Sequence, residues 1–209
     1  MVDPLRESLQ TYLDALASDA PAPGGGSAAA LVGALGAALN SMVANFTVGR
    51  PKFAEVEAQV RKLLEESESL RERLQELVRA DMEAYGQVSA AYSLPRASEA
   101  EKQARTAAIQ KALRSALAVP KEVTQLCYRA LELAEGLVGT GNPNLLSDVG
   151  CAVQFAQAAL ECAALNVEIN LRGLKDESFV EQTRTELEAL CSLGRSIRDG
   201  VWQKVLARM

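Results

Sequence analysis

The stretch Pro21-Ala22-Pro23-Gly24-Gly25-Gly26-Ser27 runs directly into Ala28-Ala29-Ala30-Leu31, and the chain stays small and apolar to Thr47. Two prolines fix an extended approach, and three glycines leave their backbone N–H groups uncovered at the point where a helix begins with unpaired donors. Such a turn is a cradle for an anion or a carbonyl. A flexible linker has the same composition. Here the following helix, about Ser27 to Thr47, is apolar nearly all round and demands burial, so the segment reads as a tight loop beside the core. Asn40, Ser41, Asn45, Gly33 and Gly36 make that helix too polar and too small-sided for a membrane span, and it is expected to be the central buried helix.

The rest of the chain reads as helix as well. No segment alternates with period two and no hairpin dipeptide joins apolar runs. Asp3-Pro4 reads as the cap and first turn of a helix running to about Ser18. From Phe53 to Leu94, closed by Pro95, an apolar seam recurs in steps of three and four: Val56, Val60, Leu63, Ser67, Leu70, Leu74, Leu77, Asp81, Tyr85, Val88. Ser98 and Glu101 form a capping box that opens a further helix, which Pro120 is expected to kink or split. Asn142-Pro143 starts a small-residue helix to Leu171 with Gly173 as its C-cap. A last helix spans about Ser178 to Ala207 and buries Leu187, Leu190, Ile197 and Val201. The expected fold is all-α, a bundle of long helices around the central one, in a single domain over residues 1–209.

Composition narrows the function. The 209 residues carry a net charge of -5, against nucleic acid or an anionic membrane as partner, and aromatics are only 4% of the chain, so Ala, Leu and Val fill the core. Cys127, Cys151, Cys162 and Cys191 show no paired spacing and no secretory segment opens the chain, which points to reduced thiols in a cytoplasm. There is no histidine. That excludes a di-iron bundle with Glu-x-x-His pairs, a zincin and a Ser-His-Asp hydrolase, and no metal site is assigned. Acid–base chemistry near neutrality falls to carboxylates, lysines, tyrosines or cysteines with shifted pKa values.

Asp81 stands out because a carboxylate on an apolar seam is desolvated and its pKa rises toward that of a working base or acid. The alternative is that the seam drifts, Met82 packs, and Asp81 points out or pairs with an arginine. Asp148, beside Ser147 near the start of its helix, suits the helix dipole whether or not it meets a ligand. Asn166 and Asn170 share one face of the same helix, where buried amides bridge helices or contact a ligand. Asp148 and Asn166 lie about 27 Å apart along an α-helix, so one compact ligand cannot touch both within one subunit. An elongated ligand or a symmetric dimer would be required. Arg50 and Lys52, after Gly49, and Arg96, after Pro95, are helix-end cations that serve either as solvated dipole partners or as a carboxylate clamp.

The segments Ala20 to Ser27, Asn45-Phe46-Thr47-Val48-Gly49-Arg50, Asp81-Met82-Glu83-Ala84-Tyr85, Leu94-Pro95-Arg96, Val119-Pro120, Gly141-Asn142-Pro143-Asn144 with Ser147-Asp148, and Asn166-Val167 with Ile169-Asn170 span nearly the whole chain. In this order they resemble the cyclodeaminase/cyclohydrolase family of folate enzymes, which includes the C-terminal domain of formiminotransferase-cyclodeaminase and stand-alone bacterial methenyltetrahydrofolate cyclohydrolases. The resemblance implies an all-α homodimer with folate in a cleft near the subunit interface and no cofactor beyond the tetrahydrofolate substrate. It places the Gly-rich loop, Asp81, Asn142 and Asp148 around the ligand, and Asp81 and Asp148 are the candidate catalytic carboxylates. Pro23, Gly24, Gly25, Gly26, Ser27, Arg50, Lys52, Arg96, Asn142, Ser147, Asn166 and Asn170 are the candidate substrate-binding residues. Where relatives often have a second basic residue after Arg50, this chain has Pro51, and Gly86 replaces an acidic residue of some relatives.

The expected reaction is hydrolysis of 5,10-methenyltetrahydrofolate to 10-formyltetrahydrofolate. One carboxylate takes a proton from the attacking water and the second serves as the acid that collapses the carbinolamine. Cyclodeamination of 5-formiminotetrahydrofolate, releasing ammonia, is the second expectation. It ranks below hydrolysis because 209 residues leave no room for a transferase domain that would hand over the formimino compound. A folate-binding or scaffold bundle without turnover is the third.

Overall fold

The computed structural model describes residues 8–209, and among them the chain forms α1 (Leu9–Leu16), α2 (Gly25–Asn45), α3 (Glu57–Tyr92), α4 (Glu99–Thr140), α5 (Leu146–Leu171) and α6 (Glu177–Leu206). Single 3₁₀ turns at Pro51–Phe53 and Pro143–Leu145 join α2 to α3 and α4 to α5. No strand occurs among the described residues. The fold is therefore all-helical, as the periodicity requires. The Asp3-Pro4 pair lies outside the described residues, and α1 is capped instead by Ser8, whose Oγ accepts the Thr11 N–H at 3.1 Å.

Small residues let α2 meet three helices at once. A Cβ at Gly33 would sit 2.7 Å from the Cys127 sulfur of α4 and 3.3 Å from Leu74 of α3. One at Gly36 would lie 3.2 Å from the Ala152 carbonyl and the Ala156 nitrogen of α5, so the two backbones touch there. Asn40, also buried, donates from Nδ2 to the Ala130 carbonyl at 2.9 Å. By length and apolarity α2 could cross a bilayer, yet 61% of that stretch is buried inside the fold.

The seam of α3 holds where the spacing put it: Val60, Ser67, Leu70, Leu74 and Leu77 are buried, and Asp81 comes next on the same stripe. Ser98 and Glu101 form both halves of the capping box at the start of α4. That helix then runs through Pro120 as one element, so of the kink or split expected there the split does not occur. Pro120 is buried among its neighbours, and packing on both flanks outweighs the single lost ladder bond.

Asn142 caps the short 3₁₀ turn, accepting the Asn144 N–H on its side chain at 3.1 Å, rather than α5 itself. The last residue before the exit of α5 is Arg172, in right-handed geometry, so Gly173 is no left-handed cap; it is small because a Cβ would strike Leu113. Asp176 caps α6, which buries Thr183, Cys191, Gly194, Val201 and Val205, while Leu187, Leu190 and Ile197 pack at the edge of the core. All four cysteines are free thiols, and burial pushes the Cys127 thiol far up.

Candidate functional site

One cavity of about 610 Å³ opens where the start of α2 meets the C-terminal halves of α3 and α5 and the middle of α4. That is a volume suited to a cofactor-sized molecule. Its floor is the glycine turn, Gly24, Gly25 and Gly26, with Asp81 and the two amides Asn166 and Asn170. Tyr85, Val88 and Tyr92 of α3, Leu113 and Ala116 of α4 and Ile169 of α5 give apolar and aromatic walls, and Arg172 stands on the lining at the end of α5.

The glycines do their work by absence of a side chain rather than by unusual backbone. Gly24 is the N-cap of α2, Gly25 and Gly26 fill its first turn, and the described residues hold a single positive-φ glycine, Gly49, elsewhere. A Cβ at Gly26 would lie 2.6 Å from the Asp81 Cγ and 2.8 Å from Oδ2. The carboxylate of α3 thus rests directly on the first turn of α2, a place only glycine leaves open. Gly25 faces Asn166, whose Nδ2 would be 3.6 Å from a Cβ there.

Burial raises the Asp81 pKa above the ordinary carboxylate value, and the backbone N–H of Ser27 works in the opposite sense. Ser27 itself is buried, and its hydroxyl is 3.1 Å from the hydroxyl of Tyr12 on α1. On α5, Asn166 donates from Nδ2 to the Cys162 carbonyl at 2.8 Å and Asn170 to the Asn166 carbonyl at 2.9 Å. Each amide thus ties one N–H back to its own helix and keeps its second N–H and its oxygen for other partners.

The expected site residues therefore fall into two groups. Gly24, Gly25, Gly26, Asp81, Asn166 and Asn170 line the cavity, and Ser27 and the buried Pro23 support it from behind. Asn142, Ser147 and Asp148 lie at the other end of α5. There the Asn142 N–H donates to Thr47 Oγ1 at 2.9 Å and its amide nitrogen to the Phe46 carbonyl at 3.3 Å. Arg50 and Lys52 are exposed beside that corner, Lys52 over the Phe53 ring, and Arg96 is exposed in the turn after α3. None of these six is on the cavity lining.

Sequence reasoning left Tyr12, Tyr85, Tyr92 and Arg172 without a role. Tyr85 stood on the α3 seam next to Asp81 and could have been read from it. Arg172 follows Ile169 by three, and Tyr12 carries no local signal at all.

The profile of the Formiminotransferase-cyclodeaminase family matches residues 8–189. The chain is 45% identical over 203 residues to a methenyltetrahydrofolate cyclohydrolase of Methylorubrum extorquens, covering 97% of this chain and 98% of that one. It is 36% identical over 186 residues to the formimidoyltransferase-cyclodeaminase of Rattus norvegicus, where the match spans 89% of this chain and 34% of the rat protein. A crystal structure of formiminotetrahydrofolate cyclodeaminase from Thermotoga maritima superposes with a TM-score of 0.80 at 33% identity, over 98% of this chain and 96% of that one. The chain belongs to the formiminotransferase-cyclodeaminase family.

Proposed function

We propose that this protein is a methenyltetrahydrofolate cyclohydrolase, hydrolysing 5,10-methenyltetrahydrofolate to 10-formyltetrahydrofolate, with Asp81 as the reacting carboxylate. The observation that carries the mechanism is the seat of Asp81: desolvated, on the first turn of α2, in a cavity with aromatic walls. The 45% identity to a cyclohydrolase over almost the full length of both chains supports the choice of reaction.

The bridging carbon of the substrate sits in an amidinium cation between N5 and N10. A carboxylate beside it stabilises that charge and takes a proton from the water whose oxygen bonds to the carbon. The neutral carbinolamine then loses its C–N5 bond: N5 receives the proton held by Asp81, and the hydroxyl oxygen becomes the formyl oxygen as its own proton leaves to solvent. One water is consumed and one proton released. Asp148 stands about 27 Å along α5 from Asn166. The sequence left open which of Asp81 and Asp148 is the base and which the acid; in this reading Asp81, protonated by the first step and already in place, serves in both. The amide oxygens of Asn166 and Asn170 suit the N–H donors of a pterin, and Tyr85 and Tyr92 offer faces for its aromatic parts. The chemistry needs no cofactor beyond the folate, and free thiols accord with a cytoplasmic enzyme.

The working unit in this reading is a homodimer, with α2 as the central helix of each bundle. Along α5, Cys151, Phe155, Ala158, Cys162, Leu165 and Ile169 recur in steps of three and four, and all six are exposed in the single chain. An apolar stripe of that length asks for a partner face. A two-fold axis perpendicular to α5 sets the stripe antiparallel to itself, and with the axis near residue 160 Cys151 meets Ile169 and Phe155 meets Leu165. The next positions outward are Asp148 at one end and Arg172 at the other. Asp148 of one copy then pairs with Arg172 on the cavity lining of the second, which answers the length problem and brings the Asn142 corner to the mouth of the site.

Asp81→Asn tests the assignment: the amide is isosteric but cannot take the proton, and turnover should fall at least about 10²-fold with the helical fold retained. A folded Asp81→Asn protein with wild-type turnover would remove Asp81 from the chemistry.

A further inference from the structure

Tyr12 is the only buried residue of α1, with 5% of its surface exposed, and it spends that burial on a polar contact. Its hydroxyl is 3.1 Å from the hydroxyl of Ser27, which has no exposed surface. Ser27 is the third residue of α2, directly after the glycine on which the Asp81 carboxylate rests. α1, which also packs on the main core through Tyr12 and Leu16, is thereby tied by a hydroxyl pair to the turn that seats the reacting group.

We propose that Tyr12 is a positioning residue for this enzyme: through Ser27 it fixes the first turn of α2, and with it the place of the Asp81 carboxylate. Tyr12 does not line the cavity and touches no substrate. Its burial keeps the phenol protonated, so it remains a hydroxyl donor across the working pH range. Releasing the turn lets water reach Asp81, which lowers the pKa of a carboxylate held up by desolvation. Around that carboxylate, α2 presents only backbone and Ser27. Among titratable groups, Tyr12 from α1 interacts with Asp81, and Tyr85 and Tyr92 from α3 and Arg172 from α5 line the same cavity, to which α4 contributes Leu113 and Ala116.

The inference rests on Asp81 being the reacting group, and its test is separable from the choice of reaction. Tyr12→Phe, Ser27→Ala and the double variant are compared with wild type for turnover of methenyltetrahydrofolate against pH. Each single variant should lose about tenfold or more in kcat with little change in KM, because a small misplacement of a reacting group is costly. The acid limb of the profile should move to lower pH. The double variant should lose no more than either single one, since both remove the same bond. Wild-type kcat and an unmoved limb in folded Tyr12→Phe, or losses that multiply in the double variant, would overturn the proposal. If Tyr12→Phe does not fold, Ser27→Ala carries the same two outcomes. Should the wild type prove to deaminate the formimino compound instead, hydrolysis fails as the reaction, and the same variants are read on ammonia release. The pH dependence of thermal unfolding, which reports the Asp81 carboxyl without any substrate, should shift with the limb.

Discussion

Asp81 is exposed to two opposed influences, and their balance has a sign that stability measurements can read. Burial raises its folded pKa above the ordinary 3.8, outweighing the Ser27 N–H. A group with a raised folded pKa gives full stability below its unfolded value and loses stability as pH rises through the folded one. Wild type is thus penalised at neutral pH for an ionised Asp81, and Asn carries no such penalty. Asp81→Asn should be the more stable protein at pH 7, with the difference closing below about pH 4, as chemical denaturation at the two pH values would show. A variant less stable than wild type at pH 7 would mean that the carboxylate serves chiefly as a cap for α2.

At the scale of elements, the site exists because α3 crosses the first turn of α2 with no side chain between them. Gly26→Ala introduces a methyl where Asp81 now sits, although alanine is the better helix former. Helix content should survive, and kcat/KM should fall about 10²-fold, the scale for a misplacement near 1 Å. Unchanged activity would show that the carboxylate has another productive seat. Much of this element layout was readable beforehand. The three-four seam of α3 set Asp81 after Leu77, the Ser98 box set the start of α4, and the apolar run bounded α2 to within two residues. Which of the two outcomes Pro120 would give, a kink or a split, was not readable, because a rule based on one lost hydrogen bond ignores tertiary packing. Nor was the Gly26 contact, since spacing shows which residues share a face but not which helix start that face will meet. Tyr12 escaped for the same reason: its partner lies fifteen residues on, across a loop.

For the whole molecule, the proposed homodimer joins what one chain keeps apart. Asp148, Ser147 and Asn142 carry the family resemblance yet lie off the cavity of their own chain. The antiparallel α5 pairing predicts that Asp148→Arg and Arg172→Asp each set like charges face to face and weaken the dimer in sedimentation, because such juxtapositions are unfavourable. Mixed in equal amounts, the two variants restore both pairs in the heterodimer and should re-associate. Failure of the mixture to recover would place the two-fold axis elsewhere on the stripe. The central claim, hydrolysis of the methenyl cation, is tested most directly by absorbance, since methenyltetrahydrofolate is the coloured species that one reaction consumes and the other forms. Purified enzyme should bleach methenyltetrahydrofolate with a kcat/KM above that for ammonia release from 5-formiminotetrahydrofolate. A higher kcat/KM for the formimino compound, with colour appearing rather than fading, would contradict the account and make the protein a cyclodeaminase.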